Sequence, residues 1–331
     1  MQLNPAAAPS PSPGADAYRT TPAHVLPVAY RGTGAGLFVL AAKNLLLTLV
    51  TLGVYMPWAR TERRKYLWQN IEVGGHRLRY HGTGRELLVG YLKVLAGYAV
   101  FIGVPLAARL IDPKLALVCQ IVLALGVFLI IPVAIYGAFR YRLGRTSLRN
   151  IRFGLDAGLR QFWSSYVLGY LLVIVTFGLY APVFQNRVHA YLTARTRYGS
   201  EAFAYDGSDG DAMLIGIKGF FLSLLTLGVY YPWYLAEIAR FRTEHTILQG
   251  ARGRLQLTGA DMFGIMVVAF FGTVLTLGLG FPWITTYVLR TYLSKLSFVG
   301  EIDFTRVAQR AAAGDAAADD LAGALDVGLQ I

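Results

Sequence analysis

The sequence predicts an all-α polytopic membrane protein, with about six membrane-spanning or re-entrant helices, basic interfacial helices and short β-segments in about five degenerate repeats. Of the 331 residues, 55% are hydrophobic and 15% are charged, whereas charged residues make up about a quarter of an ordinary soluble domain. The apolar residues also form six runs of the roughly 20 residues that a helix needs to cross a hydrocarbon layer about 30 Å thick. The runs cover residues 36–58, 87–108, 115–139, 162–184, 213–235 and 262–289.

The charge distribution indicates anionic lipid headgroups, and not nucleic acid, as the partner. The formal net charge is +12, but of the 31 Lys and Arg residues only Lys43, Lys93 and Lys218 lie inside the apolar runs. Basic residues just outside apolar runs are typical of juxtamembrane anchoring. Cys119 is the single cysteine and the five histidines show no ligand spacing. We therefore expect no intrachain disulfide, no metal and no cofactor.

The chain divides into a lead, five units and a tail. Residues 1–27 hold six of the thirteen prolines and lack the basic start and apolar core of a signal peptide, which predicts a disordered lead. Residues 307–331 are Ala-rich and acidic. The predicted units are 28–77, 78–150, 151–202, 203–254 and 255–306.

Each unit begins with alternating apolar residues followed by one or two glycines, a pattern that predicts a β-strand turning into a helix start. The five segments are VAYRGTGAG at Val28, LRYHGTG at Leu78, IRFGLDAG at Ile151, FAYDGSDG at Phe203 and LQLTGAD at Leu255.

A helix break ends the apolar run in four of the units. The copies are TLGVYMPW at Thr51, TFGLYAPV at Thr176, TLGVYYPW at Thr226 and TLGLGFPW at Thr276. Glycine permits a sharp change of direction, and proline, which has no N–H, is tolerated as the first residue of a new helix. Pro132 marks a degenerate copy in the second unit. The predicted break residues are Gly53, Pro57, Gly178, Pro182, Gly228, Pro232, Gly278 and Pro282.

The segments after the prolines are predicted to be interfacial helices. Leu289, Tyr292, Leu293 and Leu296 have helical spacing, and tryptophan follows the proline in three copies. Their basic residues are candidates for binding headgroups, and the alternative is that they reach the interface without binding a ligand. The candidates are Arg63, Arg64, Lys65, Arg140, Arg240 and Arg290.

Two topologies remain open. In the first, the runs thread the membrane alternately, as inverted repeats do in transporters. In the second, some runs are re-entrant, since residues 37–52 form only about 24 Å of helix, and the following TLGVY segment is the tip of such a run. All strands and basic helices then share the cytoplasmic face, and the strands pair, which satisfies their backbone groups.

Lys43, Lys93 and Lys218 occupy one repeat position, thirteen residues after the aromatic residue of each strand. Ionisable residues inside membrane segments usually face a protein interior or a water-filled cavity. We therefore expect a shared site for an anionic group or substrate, to which Asn44 adds a donor. The alternative is that each ammonium group returns to the interface on its flexible stem.

The segment 45–84 resembles the YjgN-like family of bacterial inner-membrane proteins, a domain of unknown function. The resemblance rests on Asn44, the break at Thr51 to Trp58, Asn70 and the RYHGTG segment at Arg79, together with the basic stretch from Arg63 to Tyr66. Related copies extend it over residues 28–306. It implies a multi-pass inner-membrane location and no established activity or active site. The third copy departs from the pattern, with Val183 in place of the tryptophan.

Two classes of function follow. One is a transporter or channel for a small anionic solute, and the other is a structural or lipid-organising membrane protein. No spacing of nucleophile, histidine and carboxylate indicates an enzyme, and Asp206, Asp209 and Asp211 are expected to cap a helix start. Substrate and oligomeric state do not follow from the sequence.

Overall fold

The computed structural model describes residues 25–304 and 306–308, in which one order of elements, strand, helix, helix, strand, occurs five times. The predicted lead before residue 25 and the predicted tail after residue 308 lie outside the described residues. The strands are β1 (Val25–Tyr30), β2 (Ile71–Val73), β3 (His76–Tyr80), β4 (Thr146–Leu148), β5 (Ile151–Leu155), β6 (Thr196–Tyr198), β7 (Glu201–Tyr205), β8 (Thr246–Leu248), β9 (Ala251–Leu255) and β10 (Leu296–Val299). The helices are α1 (Gly34–Val50), α2 (Met56–Gln69), α3 (Gly84–Arg109), α4 (Pro113–Gly144), α5 (Leu159–Val175), α6 (Ala181–Arg195), α7 (Asp209–Leu225), α8 (Tyr231–Glu244), α9 (Gly259–Leu275) and α10 (Phe281–Ser294).

The strands form a closed antiparallel barrel, so the prediction of an all-α fold is wrong. Around the barrel each strand pairs with its neighbours in the chain, and β1 pairs with both β2 and β10. Two-residue turns such as Gly74–Gly75 join one unit to the next. Closure satisfies the backbone groups on both edges of every strand. Strands of three to six residues are stable here because the ring leaves no edge unpaired.

The prediction of about six membrane-spanning or re-entrant helices is also wrong. In the described ranges, two helices are long and apolar enough to cross a membrane, α3 and α4, and few residues in the apolar stretch of either are buried. The apolar helices α1, α5 and α9 have 17 residues each, about 25 Å at the usual helical rise. The runs looked longer because a turn and the start of a second helix continue the apolar composition.

The hairpins formed by successive helices all start and finish at the barrel. Both strands of every described unit belong to this one barrel, so each pair of helices leaves it and returns to it. A chain that crossed a membrane once per unit would place successive strands on opposite sides. The geometry is therefore that of the returning alternative. Neighbouring helices also contact each other around the ring, and α10 contacts α1.

Local sequence explains how three of the first helices begin. Thr33 caps α1 and Thr83 caps α3, and Thr258 forms a capping box with Asp261 at α9. The glycine two residues after the strand tyrosine is required by packing. A Cβ on Gly32 would lie 2.3 Å from the Tyr30 hydroxyl oxygen.

Three of the contacts between neighbouring hairpins place a tryptophan against the first glycine of the next helix. A Cβ would lie 2.5 Å from Trp58 Cδ1 at Gly84 and 2.0 Å from Trp233 Cδ1 at Gly259. Trp283 of the last hairpin packs in the same way on Gly34 of the first. These tryptophans therefore join neighbouring hairpins. At the two remaining junctions the equivalent positions hold Val133 and Leu159, and Val183 and Asp209.

Candidate functional site

The turn between the two helices of a short hairpin has the same conformation in four units. In the first, the Thr51 hydroxyl donates to the Leu47 carbonyl oxygen at 2.7 Å and accepts from the Tyr55 N–H at 3.0 Å. The next residue, Leu52, has φ +50°, and Gly53 has φ +91°. Threonine therefore holds both ends of the turn, and glycine provides a left-handed position. The other copies begin at Thr176, Thr226 and Thr276.

The residue after each of these threonines is a large apolar side chain that protrudes from the molecule. Leu52, Phe177, Leu227 and Leu277 are 91% to 97% exposed. The longer hairpin exposes Leu110 and Ile111 in the same way at the α3–α4 turn. We call Leu52, Phe177, Leu227 and Leu277 the hairpin tips. Exposed apolar side chains grouped in this way mark a membrane or protein contact.

The predicted break residues lie at these turns. The prolines stand in the first turn of the second helices, and the glycines have φ between +84° and +91°. The glycines are Gly53, Gly178, Gly228 and Gly278, and the prolines are Pro57, Pro182, Pro232 and Pro282.

Two of the predicted lysines pair with a glutamate of their own hairpin. Lys43 Nζ lies 2.7 Å from Glu62 Oε2, and Lys218 Nζ lies 2.5 Å from Glu237 Oε1. The two pairs have the same spacing along the chain and join the first helix of the hairpin to the second. Each glutamate offsets the charge of its lysine.

The other two members of the predicted site lie on separate elements. Asn44 is buried and donates through Nδ2 to the Ala59 carbonyl oxygen at 3.3 Å. Lys93 lies on α3, in a different hairpin from Lys43 and from Lys218. The pairs of Lys43 and Lys218 are thus made separately, within the first and fourth hairpins. A common anion site for the four residues stays a prediction.

The predicted interfacial basic residues differ in their surroundings. Arg63 lies over the Phe281 ring at 4.9 Å, Arg64 donates to the Tyr80 hydroxyl at 3.5 Å, and Arg290 donates to the Gly32 carbonyl oxygen at 3.2 Å. Arg140 is buried, whereas Lys65 and Arg240 are half-buried. Several of these side chains therefore hold neighbouring protein segments together. Headgroup binding by them stays a prediction.

The C-terminal described segment packs against the turns of the barrel. Phe304 and Val307 contact a cluster that includes Leu148 and Tyr198. The Ala308 N–H donates to the Ser200 hydroxyl at 3.3 Å. Apolar and aromatic side chains thus fill this part of the barrel interior.

Sequence reasoning placed the tip of a re-entrant run at TLGVY, but it did not single out the protruding apolar side chains there and it missed the glutamate partners. The tips had a signal in the sequence, because every copy of the turn places a leucine or phenylalanine directly before its glycine. In the structure this residue is left-handed, a conformation in which glycine or asparagine is common. The glutamates had one too, because Glu62 and Glu237 follow their lysines at the same interval.

Comparisons with known proteins support an inner-membrane location for this chain. The Escherichia coli (strain K12) protein named "Inner membrane protein YjgN" is 32% identical over 151 residues, covering 45% of this chain and 35% of that protein. Its namesake in Salmonella typhimurium is 28% identical over 173 residues, covering 47% of this chain and 41% of that protein. The match thus spans about a third of the length of the E. coli relative. No solved structure matches the chain.

A protein family matches most of the chain. Its description is "Bacterial protein of unknown function (DUF898)", and the matched residues are 25–230 and 220–324. The YjgN relatives carry no stated activity in their names. The chain belongs to this bacterial family of unknown function.

Proposed function

We propose that this protein is embedded in the bacterial inner membrane by its helical hairpins, which enter from one face, and that it organises the surrounding lipids. The hairpin tips carry this proposal. A leucine or phenylalanine in the left-handed region costs roughly 1–2 kcal/mol, and exposing it to water adds to that cost. Transfer of such a side chain into hydrocarbon contributes about 1.5–3 kcal/mol. The conformation is therefore favourable in a bilayer and unfavourable in water.

Helix lengths set the depth of each hairpin. With 26 and 32 residues, α3 and α4 measure about 39 and 48 Å, which exceeds a hydrocarbon layer of about 30 Å. The 17-residue first helices of the short hairpins reach about 25 Å. In the proposed arrangement the long hairpin crosses the membrane and returns. The short hairpins enter the membrane without crossing it, and the barrel lies at headgroup level.

Two observations favour lipid organisation over transport of an anion. Glu62 and Glu237 offset the charges of Lys43 and Lys218, which weakens the attraction of those lysines for an anionic solute. Phe304 and Val307 also occupy the barrel interior near the turns, where a solute path along the barrel axis would run. Membrane lipids are therefore the proposed partners, and neither a nucleic acid nor a catalysed reaction is part of the proposal.

Insertion is tested by fluorescence quenching in proteoliposomes. In a Cys119→Ala background, single cysteines replace Leu52, Phe177 and Leu277 and carry an environment-sensitive fluorophore. We expect quenching by lipids with a nitroxide deep in the acyl chain and little quenching by aqueous iodide. The matched control is Ala202→Cys on the exposed face of β7, which iodide should quench. Iodide quenching of the tip labels would contradict insertion.

Lipid organisation is tested by electron spin resonance of spin-labelled phosphatidylglycerol and phosphatidylcholine in the same vesicles. We expect a motionally restricted component that is larger for the anionic lipid, because basic residues surround the barrel. A spectrum without that component, in vesicles where the tips are inserted, would leave a membrane protein with no ordering role and so overturn this half of the proposal.

A further inference from the structure

The outer wall of the barrel carries two arginines and a serine in one row across three adjacent strands. Arg79 on β3 is directly opposite Ser147 on β4, and Ser147 is directly opposite Arg152 on β5. Residues directly opposite in an antiparallel sheet point to the same face, with Cβ atoms about 4.5–5.5 Å apart. Both arginines are exposed, whereas Ser147 is only 2% exposed. The serine therefore forms the floor of a shallow depression with an arginine on each side.

His81 completes this depression. Its Nε2 lies 2.8 Å from the Ser147 Oγ, and its backbone N–H donates to the Arg145 carbonyl oxygen at 2.8 Å. His81 follows Arg79 by two residues, so its side chain lies on the same outer face. Arg145 stands across from it and is held by Glu86 at 3.0 Å. His81 therefore contacts the Ser147 hydroxyl directly, whereas Arg79, on the same face, donates through Nη1 to Asn150 Oδ1 at 3.4 Å.

The charges around His81 are predominantly positive. Burial lowers the pKa of the His81 imidazole below its ordinary value, and the nearby Arg152, Arg79, Lys65 and Arg145 lower it further. Glu86 offsets the charge of Arg145. The imidazole is therefore neutral at pH 7, and the depression still has a positive potential from the arginines.

Equivalent positions at two other junctions hold an ion pair in place of His81 and Ser147. Arg31, directly after β1, pairs with Glu72 of β2 at 3.2 Å, and Asp156, directly after β5, pairs with Arg197 of β6 at 2.5 Å. Acid and base neutralise each other there. At β3 and β4 a histidine and a serine replace the pair, and arginines flank them. This exchange converts a neutral structural contact into a group of donors.

We propose that Arg79, His81, Ser147 and Arg152 bind a phosphate group. Guanidinium groups match phosphate oxygens with two parallel hydrogen bonds, and a hydroxyl group donates a further one. A phospholipid headgroup and free phosphate offer the same chemistry. The site stands where α3 begins, after its cap Thr83, and where α4 ends, before Arg145. A lipid as the source rests on the proposed function, because it requires the barrel to lie at headgroup level.

The experiment measures binding of phosphatidylglycerol to the full-length protein in detergent by native mass spectrometry. We expect the double variant R79Q/R152Q to weaken binding at least about tenfold, because two charge-assisted contacts are lost. The control R252Q/R254Q removes two arginines from the outer face of β9 and should weaken binding less than about twofold. If both double variants lose the same amount of binding, net charge alone explains the loss, and the proposed site is wrong.

A milder variant keeps the test decisive if the double variant folds poorly. R79K retains the charge but loses the planar fork, so binding should weaken severalfold with an unchanged unfolding temperature. Unchanged binding by R79K and by R152K would overturn phosphate recognition.

Inorganic phosphate added as a competitor identifies the source. Displacement of the lipid by millimolar phosphate supports a site for free phosphate, whereas retention of the lipid supports a headgroup site. Binding that persists equally in R79Q/R152Q under both conditions overturns the proposal. Quenching of the Leu277→Cys label is measured in the same double variant. Loss of binding with normal insertion separates this proposal from the proposed function.

The pH dependence tests His81. Its pKa lies below the ordinary value of 6.5, and a bound anion favours the protonated imidazole, so lipid affinity should rise severalfold as the pH falls from 7 to 5.5. H81Q should remove this rise while Arg79, Arg152, Lys65, Arg145 and Glu86 stay in place. An equal rise in H81Q would exclude His81 from the site.

Discussion

The junctions between hairpins are of two kinds. They differ at two positions together, the residue after the proline and the first residue of the next helix. Where tryptophan follows the proline, the first residue of the next helix is glycine, as for Trp58 with Gly84 and Trp233 with Gly259. Where valine replaces the tryptophan, the glycine is also absent. Between the third and fourth hairpins the glycine position holds Asp209, which accepts hydrogen bonds from Asn186 at 2.9 Å and from Arg187 at 2.6 Å. An apolar contact and a polar contact thus perform the same joining task.

The largest effect is expected where a side chain is forced into a tryptophan junction. G259L places atoms where the Trp233 indole lies, and overpacking of this kind typically costs about 3 kcal/mol at the upper end. The unfolding temperature in detergent is the measurement. The matched control is G264L in the same helix, because a Cβ at Gly264 meets no atom within 4 Å. If both variants lose equal stability, the helix and not the junction is responsible.

A smaller effect is expected when the tryptophan is moved to the polar junction. V183W alone should cost about 2 kcal/mol because Asp209 occupies the place of the glycine. D209G alone loses the bonds to Asn186 and Arg187. In V183W/D209G the two changes should compensate in part, giving a coupling of roughly 1 kcal/mol in a double-mutant cycle. Strict additivity would show that the two residues do not form a unit.

The smallest effect concerns the partly exposed ion pair of Asp206 and Arg252, which belongs to neither kind of junction. Hydrogen bonds from Arg252 hold the pKa of Asp206 below its ordinary value of 3.8. The carboxylate therefore stabilises the fold above about pH 4, and this contribution is lost as the pH falls below that value. Its size is under about 1 kcal/mol because the pair is partly exposed. Between pH 5 and pH 3, the unfolding temperature of D206N should therefore decrease less than that of the unaltered protein.

Local features of the fold could be predicted from the sequence. Glycine and proline in TLGVYMPW indicate a turn and a new helix, and the structure has Gly53 in a turn and Pro57 in the first helical turn. Both conclusions depend on residues within a few positions of each other. The strand-like segments were recognisable for the same reason, since alternation and the following glycines are local.

The closed barrel and the polar site could not be predicted because they depend on pairing at a distance. Tyr30 pairs with Ile71 and Val25 with Val299, and a sequence of short strands does not reveal which edges meet. The row formed by Arg79, Ser147 and Arg152 likewise exists only through the register of three strands. The pairs of Lys43 and Lys218 needed the hairpin geometry to bring each glutamate to its lysine.

Closure of the barrel also determines when folding can be completed during synthesis. The partner of β1 on one side is β10, whose residue Val299 pairs with Val25. At about 5–20 residues per second, β10 is made some tens of seconds after β1. Throughout that time the edge of β1 that pairs with β10 stays unpaired, while the hairpins fold one by one. A second nascent copy on the same membrane offers the same strand, so ring closure competes with strand exchange between chains. Rapid synthesis of well-separated chains therefore favours ring closure within one chain.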